Sequence, residues 1–416
     1  MTYDKYIFSN LNYVADRLAM RGFSLNVTRL EALNIRAKTI KRHISALQAE
    51  IAACSKLIDC AAERGENILD LISDVECTTN DLRNYRAELN EIDAEIRGTF
   101  LDIPNLPDES VPIGEDDNEN IEIRRWEVMR NSESIFADFA SFDKIRIYEG
   151  LVNLNFKGQR CMSEGFAHLC RALKRFMIDL HVEEHQCIEV CLLGVENSLT
   201  SLEEILKDKI DKAFLEIKKD GFDESDPKSS ILNLFAGNII ARNARQPLKF
   251  VIDVPCTISE FNKFAPDTSL LVNENVVLVQ LIEPDRSVEA LEVLTENVER
   301  VLQLLELPYR VVESCTGALN HTTAKSYKVE VWLPSQYKYI EVATCSNDTD
   351  FHTRRMEVRY LNSITGEAEL LHSLSATGLL LGPTLMAIIE YYRNKNGCIN
   401  IPSALRPYMF GVEEIS

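Results

Sequence analysis

Two histidines one helical turn apart, in His181-Val182-Glu183-Glu184-His185, form the sharpest constellation of chemically able residues in this chain. Imidazoles at i and i+4 share one helix face and can share a metal, as in the HxxEH pattern of some zinc proteases. No third ligand is evident from the spacing of the other histidines, so a structural role is expected and no metal. Neither GxGxxG nor a Walker loop is present, and no cluster suggests a Ser/His/Asp triad. The 11 cysteines include no CxxC pair, which points to a reducing compartment with most of them acting as small core residues. Arg36, Lys38, Lys41 and Arg42 make a basic cluster at helical spacing. It reads either as a solvated helix face or as a contact for a nucleic-acid backbone or a partner.

The overall charge is −20, so non-specific nucleic-acid binding by the whole surface is disfavoured and any such contact has to come from a local basic patch. No stretch approaches 18 uncharged apolar residues, and no membrane partner is expected. The opening MTYDKYIFSN has the features of neither a signal peptide nor an Arg-rich transit peptide.

The elements that would position these residues follow from periodicity. Leu33, Ala37, Ile40, Ile44, Leu47, Ile51, Cys54, Ile58 and Ala61 recur at alternating spacings of four and three, an a/d seam. At ~1.5 Å per residue the helix would run roughly 40 Å. Gly65 interrupts it, and Ile68, Ile72, Val75, Leu82, Tyr85, Leu89, Ile92 and Ile96 form a second stripe. A short connection makes each stripe the nearest cover for the other, which predicts an antiparallel hairpin. Its halves differ in charge. Arg29 to Ala62 carries six Lys/Arg and three Asp/Glu, whereas Glu63 to Arg97 carries four and ten. Gly98 to Glu127 holds three prolines and two glycines and reads as an acidic boundary without regular structure over much of its length. Beyond it, Phe166, Leu169, Cys170, Leu173, Phe176, Met177 and Leu180 predict an amphipathic helix, and Val276–Ile282 and Tyr327–Leu333 read as strands. The expected division is an arm over 1–103, a linker over 104–127 and a body over 128–416.

Four long blocks carry a resemblance in one order: LDIPNLPDESVPIGEDDNENIEIRRWE, GFAHLCRALKRFMIDLHVEEHQCIEV, TAKSYKVEVWLPSQYKYIEVATCSNDTDFHTRRMEVRY and HSLSATGLLLGPTLMAIIEYYRNKNGCINIPSALRPYM. Together they resemble the seryl-tRNA synthetases, a class II family, across nearly the whole chain. The resemblance is weakest between Ser198 and Gln246. It implies an α+β fold, with an N-terminal antiparallel helical hairpin and an antiparallel sheet flanked by helices. It also implies that Glu341 and Thr344 match an ATP-side acid and its neighbouring hydroxyl. A similar His-x-Glu-Glu-His stretch occurs in the family without zinc.

The departures are at the positions the family uses for chemistry. Adenylate formation needs cations on the ATP phosphates. The family's second-motif arginine falls at Ile258, in Thr257-Ile258-Ser259-Glu260. The loop after it, which includes Val272, holds neither Arg nor His. The third-motif arginine falls at Pro383, which has neither charge nor a backbone donor. An asparagine of the serine site is Ser375, and a Thr-x-Glu element falls where Phe235 and Gly237 stand. The expectation is therefore a degenerate site with no catalytic residue and no cofactor, most similar to a catalytically inactive insect mitochondrial branch of the family. That branch implies the mitochondrial matrix and a heterodimer with the active mitochondrial seryl-tRNA synthetase, supporting tRNA(Ser) aminoacylation. Phe176 and Leu180 of the first-motif helix, with Leu192 and Leu193 where the family has a proline pair, are the expected dimer contacts. Two alternatives stay open: a stand-alone nucleic-acid-binding homodimer using the Arg36–Arg42 cluster, and a residual ATP-dependent serine-activating enzyme.

Overall fold

An apolar seam along one helix must be covered, and here the chain folds back to cover it. A computed structural model describes residues 3–64, 67–127, 164–191, 227–240, 247–255, 274–362, 365–394 and 396–415, and divides into two compact units, Met1–Pro104 and Asn105–Ser416. In the first, α1 (Tyr3–Ser9) and α2 (Leu11–Ala19) precede the long helices α3 (Val27–Glu63) and α4 (Leu69–Asp102). Leu33, Ala37 and Ile40 of α3 bury against Ile92 of α4, with Ile44, Tyr85, Leu89 and Ile96 packed around them. Asn26 starts α3 by accepting the Arg29 amide at 3.0 Å. Helix α4 runs past Gly98, because one glycine costs a helix only about 1 kcal/mol. It stops at Ile103, which is extended (ψ 119°) ahead of Pro104, as a residue before proline is constrained to be.

The second unit comprises β1 (Ile121–Trp126), α5 (Glu164–Glu183), β2 (Ile188–Val190), α6 (Pro227–Asn233), β3 (Ile239–Ile240), β4 (Leu248–Pro255), β5 (Glu274–Ile282), α7 (Ser287–Leu304), β6 (Tyr309–Glu313), β7 (Lys325–Leu333), β8 (Lys338–Asn347), α8 (Thr353–Met356), β9 (Arg359–Leu361), β10 (Ala368–Leu370), β11 (His372–Leu380), α9 (Leu381–Tyr392), β12 (Ile399–Asn400) and β13 (Glu414–Ile415). Eight strands form one sheet in the order β1-β6-β7-β8-β11-β5-β4-β2. Its pairs are antiparallel except β2 on β4. Helices α5, α7 and α9 supply Leu169, Leu173, Met177, Leu294, Val298, Leu385 and Ile388 to a core that also takes Val276, Leu278, Val329, Val331, Val342 and Ala343 from the sheet.

The segment read as a linker is built into this second unit. Strand β1 pairs with β6 at the sheet edge. Asn105 Nδ2 donates to the carbonyls of Asp348 at 2.8 Å and Thr322 at 2.9 Å. At Gly317 a Cβ would sit 2.2 Å from the Glu115 carbonyl oxygen, so the segment's close approach requires glycine there. Prolines prevent this stretch from forming a helix, yet its polar groups find fixed partners across the fold.

Candidate active site

Two irregularities of the sheet place the polar side chains of its second face. Between β7 and β8 the register slips at Val329/Glu330, so that Glu330 faces Glu341 while Val329 faces Ala343. Val342 is the extra residue, and Val342 and Ala343 both turn into the core. Residues three apart on a regular strand face opposite ways. Across this bulge Glu341 and Thr344 face the same way, and the Thr344 hydroxyl donates to Glu341 Oε1. Between β11 and β5 the slip falls at Thr377/Leu379, with Gly378 as the extra residue. A Cβ at Gly378 would meet the Val276 carbonyl oxygen at 3.0 Å and its Cγ1 at 3.2 Å. The bulge aims Thr377 at β8, where its Oγ1 accepts the Thr344 amide at 2.8 Å.

Lys328 completes the group. Its Nζ donates to Asp117 Oδ1 at 2.6 Å and stands 3.5 Å from Glu341 Oε2. Burial pushes the Glu341 carboxyl above its ordinary range, against the opposing pull of Lys328 and the Thr344 hydroxyl. Burial acts to lower Lys328, but Glu341 and Asp117 outweigh it, and the ammonium is held above its usual value. Asp117 is held below the usual range, because hydrogen bonds from Lys328 and Asn120 overcome its partial burial. The arrangement is a cation with a buried acid behind it and an exposed acid in front, backed by two hydroxyls. Such a group can bind an anion on its open side or orient a proton-bearing oxygen. Among the described residues no group of three or more His, Cys, Asp or Glu side chains could hold a metal ion.

The residues singled out from the sequence are distributed differently. Ser375 lies on β11 opposite Ser346 and Val279, half-buried. Pro383 is buried in the first turn of α9, where a helix leaves its amides without an intrahelical acceptor, so a missing N–H costs little. Ile258, Val272, Leu192 and Leu193 lie outside the described residues. Phe235 packs against Phe250 with ring centroids 5.8 Å apart, beside Ile231, Ile252, Val254 and Val279, and Gly237 takes a positive φ of 69°. Phe176 and Leu180, expected to face a partner, are buried in the body's own core, with Phe176 edge-on to Tyr408. In the arm, Arg36 is bound to Glu88 and Lys41 is 4.0 Å from Asp93, so the acidic helix partly neutralises the basic cluster. Lys38 and Arg42 are exposed. His181 is fully buried, its Nδ1 2.9 Å from Nδ1 of His185. The two rings hydrogen-bond each other, an arrangement that needs one N–H and one bare nitrogen. Lys328, Asp117 and Thr377 were not found by motif. The available signal was alternation: Lys328 and Glu330 interleave with Tyr327, Val329 and Val331, which puts them on the face away from the core.

Residues 3–107 match the seryl-tRNA synthetase N-terminal domain, and residues 273–392 match the tRNA synthetase class II core domain (G, H, P, S and T). The chain is 41% identical over 430 residues to the serine–tRNA ligase of Pseudomonas fluorescens and 42% identical over 432 residues to that of Pseudomonas putida. In both comparisons 99% of each chain is covered. The chain belongs to the seryl-tRNA synthetase family. The fold agrees: the seryl-tRNA synthetase of Pyrococcus horikoshii, solved in complex with ATP, superposes with a TM-score of 0.82 at 24% identity, over 100% of this chain and 99% of that one.

These relatives overturn the expectation of a non-catalytic subunit. End-to-end similarity to serine–tRNA ligases, with the class II core in place, points to a working member of the family rather than to a pseudoenzyme. They also give no support to a heterodimer with an active mitochondrial synthetase, since that pairing was implied by resemblance to an inactive branch and these relatives are serine–tRNA ligases. The expectation of inactivity rested on several positions together, which the resemblance sets against family arginines and the serine site: Ile258, the loop after it without Arg or His, Pro383 and Ser375. The sheet still presents Glu341, Thr344 and Thr377, with an ammonium beside them.

Proposed function

We propose that the chain is an ATP-dependent serine–tRNA ligase. Its serine carboxylate attacks the α-phosphorus of ATP, pyrophosphate leaves, and a terminal ribose hydroxyl of tRNA then displaces AMP from the seryl carbonyl. The carrying observation is the 41% identity to serine–tRNA ligases over 99% of both chains. The Glu341–Thr344–Thr377 group on the sheet face supports the same reading, because it offers fixed polar groups where the resemblance puts the nucleotide. The test is serine-dependent ATP–pyrophosphate exchange, followed by seryl-tRNA formation. Exchange above the serine-free blank, and not reproduced by alanine or threonine, is the expected result. A folded protein that gives no serine-dependent exchange would overturn the proposal.

We also infer that the arm contacts tRNA, through Lys38 and Arg42 first, since their side chains are exposed while Arg36 is bound to Glu88. Lys38→Glu with Arg42→Glu should weaken tRNA binding and flatten its salt dependence while leaving pyrophosphate exchange intact. Equal binding by the variant would refute this. The mitochondrial matrix stays a proposal that rests on the resemblance alone, to be tested by locating the tagged full-length chain in cells.

A further inference from the structure

The family's two phosphate-side arginines fall at Ile258 and Pro383, so positive charge for a nucleotide has to come from elsewhere. We infer that Lys328 is a phosphate-binding residue of the nucleotide site and that the Asp117 carboxylate occupies the place of a phosphate oxygen on it. This rests on the reading of the chain as an ATP-using synthetase.

The argument is geometric. Lys328 is two-sided. Inward, its ammonium is 3.5 Å from Glu341, a side chain only 16% exposed and itself bound by the Thr344 hydroxyl. Outward, at 2.6 Å, is Asp117, whose side chain is 65% exposed on a short turn. The inner acid is fixed and the outer one is exchangeable. Asp117 Oδ1 also accepts from Asn120 Nδ2 at 3.0 Å, so the carboxylate keeps a hydrogen bond when it leaves Lys328. An ammonium has three donors, and a carboxylate oxygen 2.6 Å away sits where a phosphoryl oxygen would sit. Two carboxylates around one ammonium leave a local charge of −1. An incoming phosphate therefore gains most by displacing the exposed carboxylate. Register places the lysine at the right point of the sheet: Lys328 pairs with Thr344, and the Thr344 amide is tied to Thr377. Its ammonium thus lies beside the polar group that the resemblance assigns to ATP.

A merely structural ion pair and a phosphate site predict opposite outcomes at Asp117. If the pair is structural, Asp117→Asn leaves anion affinity unchanged or lowers it through loss of order. If the carboxylate stands in for phosphate, Asp117→Asn removes a competitor and a repulsive charge, and affinity rises. The experiment is titration of the full chain with ATP, inorganic pyrophosphate and AMP, comparing wild type, Asp117→Asn and Lys328→Met, with circular dichroism to confirm the fold. Asp117→Asn should bind ATP and pyrophosphate several-fold more tightly. Lys328→Met should bind both about tenfold more weakly, the scale of one charge-assisted hydrogen bond. AMP affinity should change least. If wild type binds ATP and Asp117→Asn binds it no more tightly, the role of Lys328 is refuted while the synthetase reading stands. If wild type binds ATP only under conditions where serine-dependent exchange is absent, the synthetase reading falls and the phosphate site is judged on the two variants alone. If wild type binds neither ATP nor pyrophosphate, both fall. Should Lys328→Met fail to fold, the surface substitution Asp117→Asn still decides the matter.

Discussion

The Thr344 amide donates to the Thr377 hydroxyl at 2.8 Å, so β8 and β11 are joined by a side chain one residue beyond Ala376 and Cys345, where their backbone pairing ends. An amide left without its acceptor at that point costs on the order of 1–2 kcal/mol. Thr377→Val keeps the shape and removes the acceptor. It should lower stability by about that amount in urea unfolding and reduce pyrophosphate exchange, because Thr344 also positions Glu341. Thr377→Ser should retain both properties. Equal unfolding midpoints for Thr377→Val and wild type would show that the bond contributes nothing.

Gly378 is the residue that lets this bulge form. A Cβ there meets the Val276 carbonyl oxygen at 3.0 Å, and a backbone oxygen within a central strand pair has little room to yield. Gly378→Ala should cost about 1–3 kcal/mol, the range for overpacking. It should also disturb the site, since Thr377 is aimed by the same irregularity. A thermal melt superimposable on that of wild type would remove the steric argument.

The large-scale fold was legible in the sequence because it depends on periodicity. The α3 seam and the α5 stripe are long, and the alternation in β5 and β7 is clear. The active face was harder to read. Glu341 and Thr344 are three apart, and strand alternation alone puts them on opposite faces. Only the extra residue Val342 brings them together, and no glycine marks that bulge in the sequence as Gly378 marks the one on β11. Lys328 meets Asp117 from a segment more than 200 positions earlier, which no local pattern encodes. The expectation of an inactive site came from several positions read together, and relatives similar over the full length overturn it. Phe176 and Leu180, read as partner contacts, are buried in the body's own core. The linker was read from its prolines, which forbid helix but do not forbid docking.

Asp348 is wholly buried and bound by Lys228 at 2.5 Å, with His352 Nε2 at 3.4 Å and the Thr323 hydroxyl at 2.9 Å. Burial acts to raise its carboxyl, yet Lys228 and His352 together hold it far below the usual carboxylate range. A depressed folded value means stability that is fully present above the unfolded value, about 4, and lost as pH falls through the acid range. Removing one partner leaves the other charge buried, which costs about 3–5 kcal/mol. Lys228→Met should therefore destabilise strongly at pH 7. Lys228→Met combined with Asp348→Asn should recover much of the loss. Chemical denaturation of wild type and the two variants checks this, and a double variant no more stable than the single would contradict it.

His181 and His185 give a stability signal at milder pH. Burial, with His185 adding a smaller push, lowers His181 to about 3, and burial likewise lowers His185. For a histidine lowered on folding, the native state binds fewer protons than the unfolded chain between the folded value and the ordinary one near 6.5. Stability is then fully present above about pH 6.5 and falls as the pH drops toward 3, by up to ~1.4 kcal/mol per pH unit for one such group. Protonation of His181 would also place a charge on a ring whose Nε2 is buried without a hydrogen-bond partner among the described residues. His181→Leu removes the group while keeping an apolar side chain under α5. Urea unfolding at pH 7, 6 and 5 should show wild type losing stability faster than the variant, with a difference approaching 2 kcal/mol at pH 5. Parallel curves would mean that the buried imidazole is not the titrating group, because any other acid-sensitive residue, His372 included, is common to both proteins.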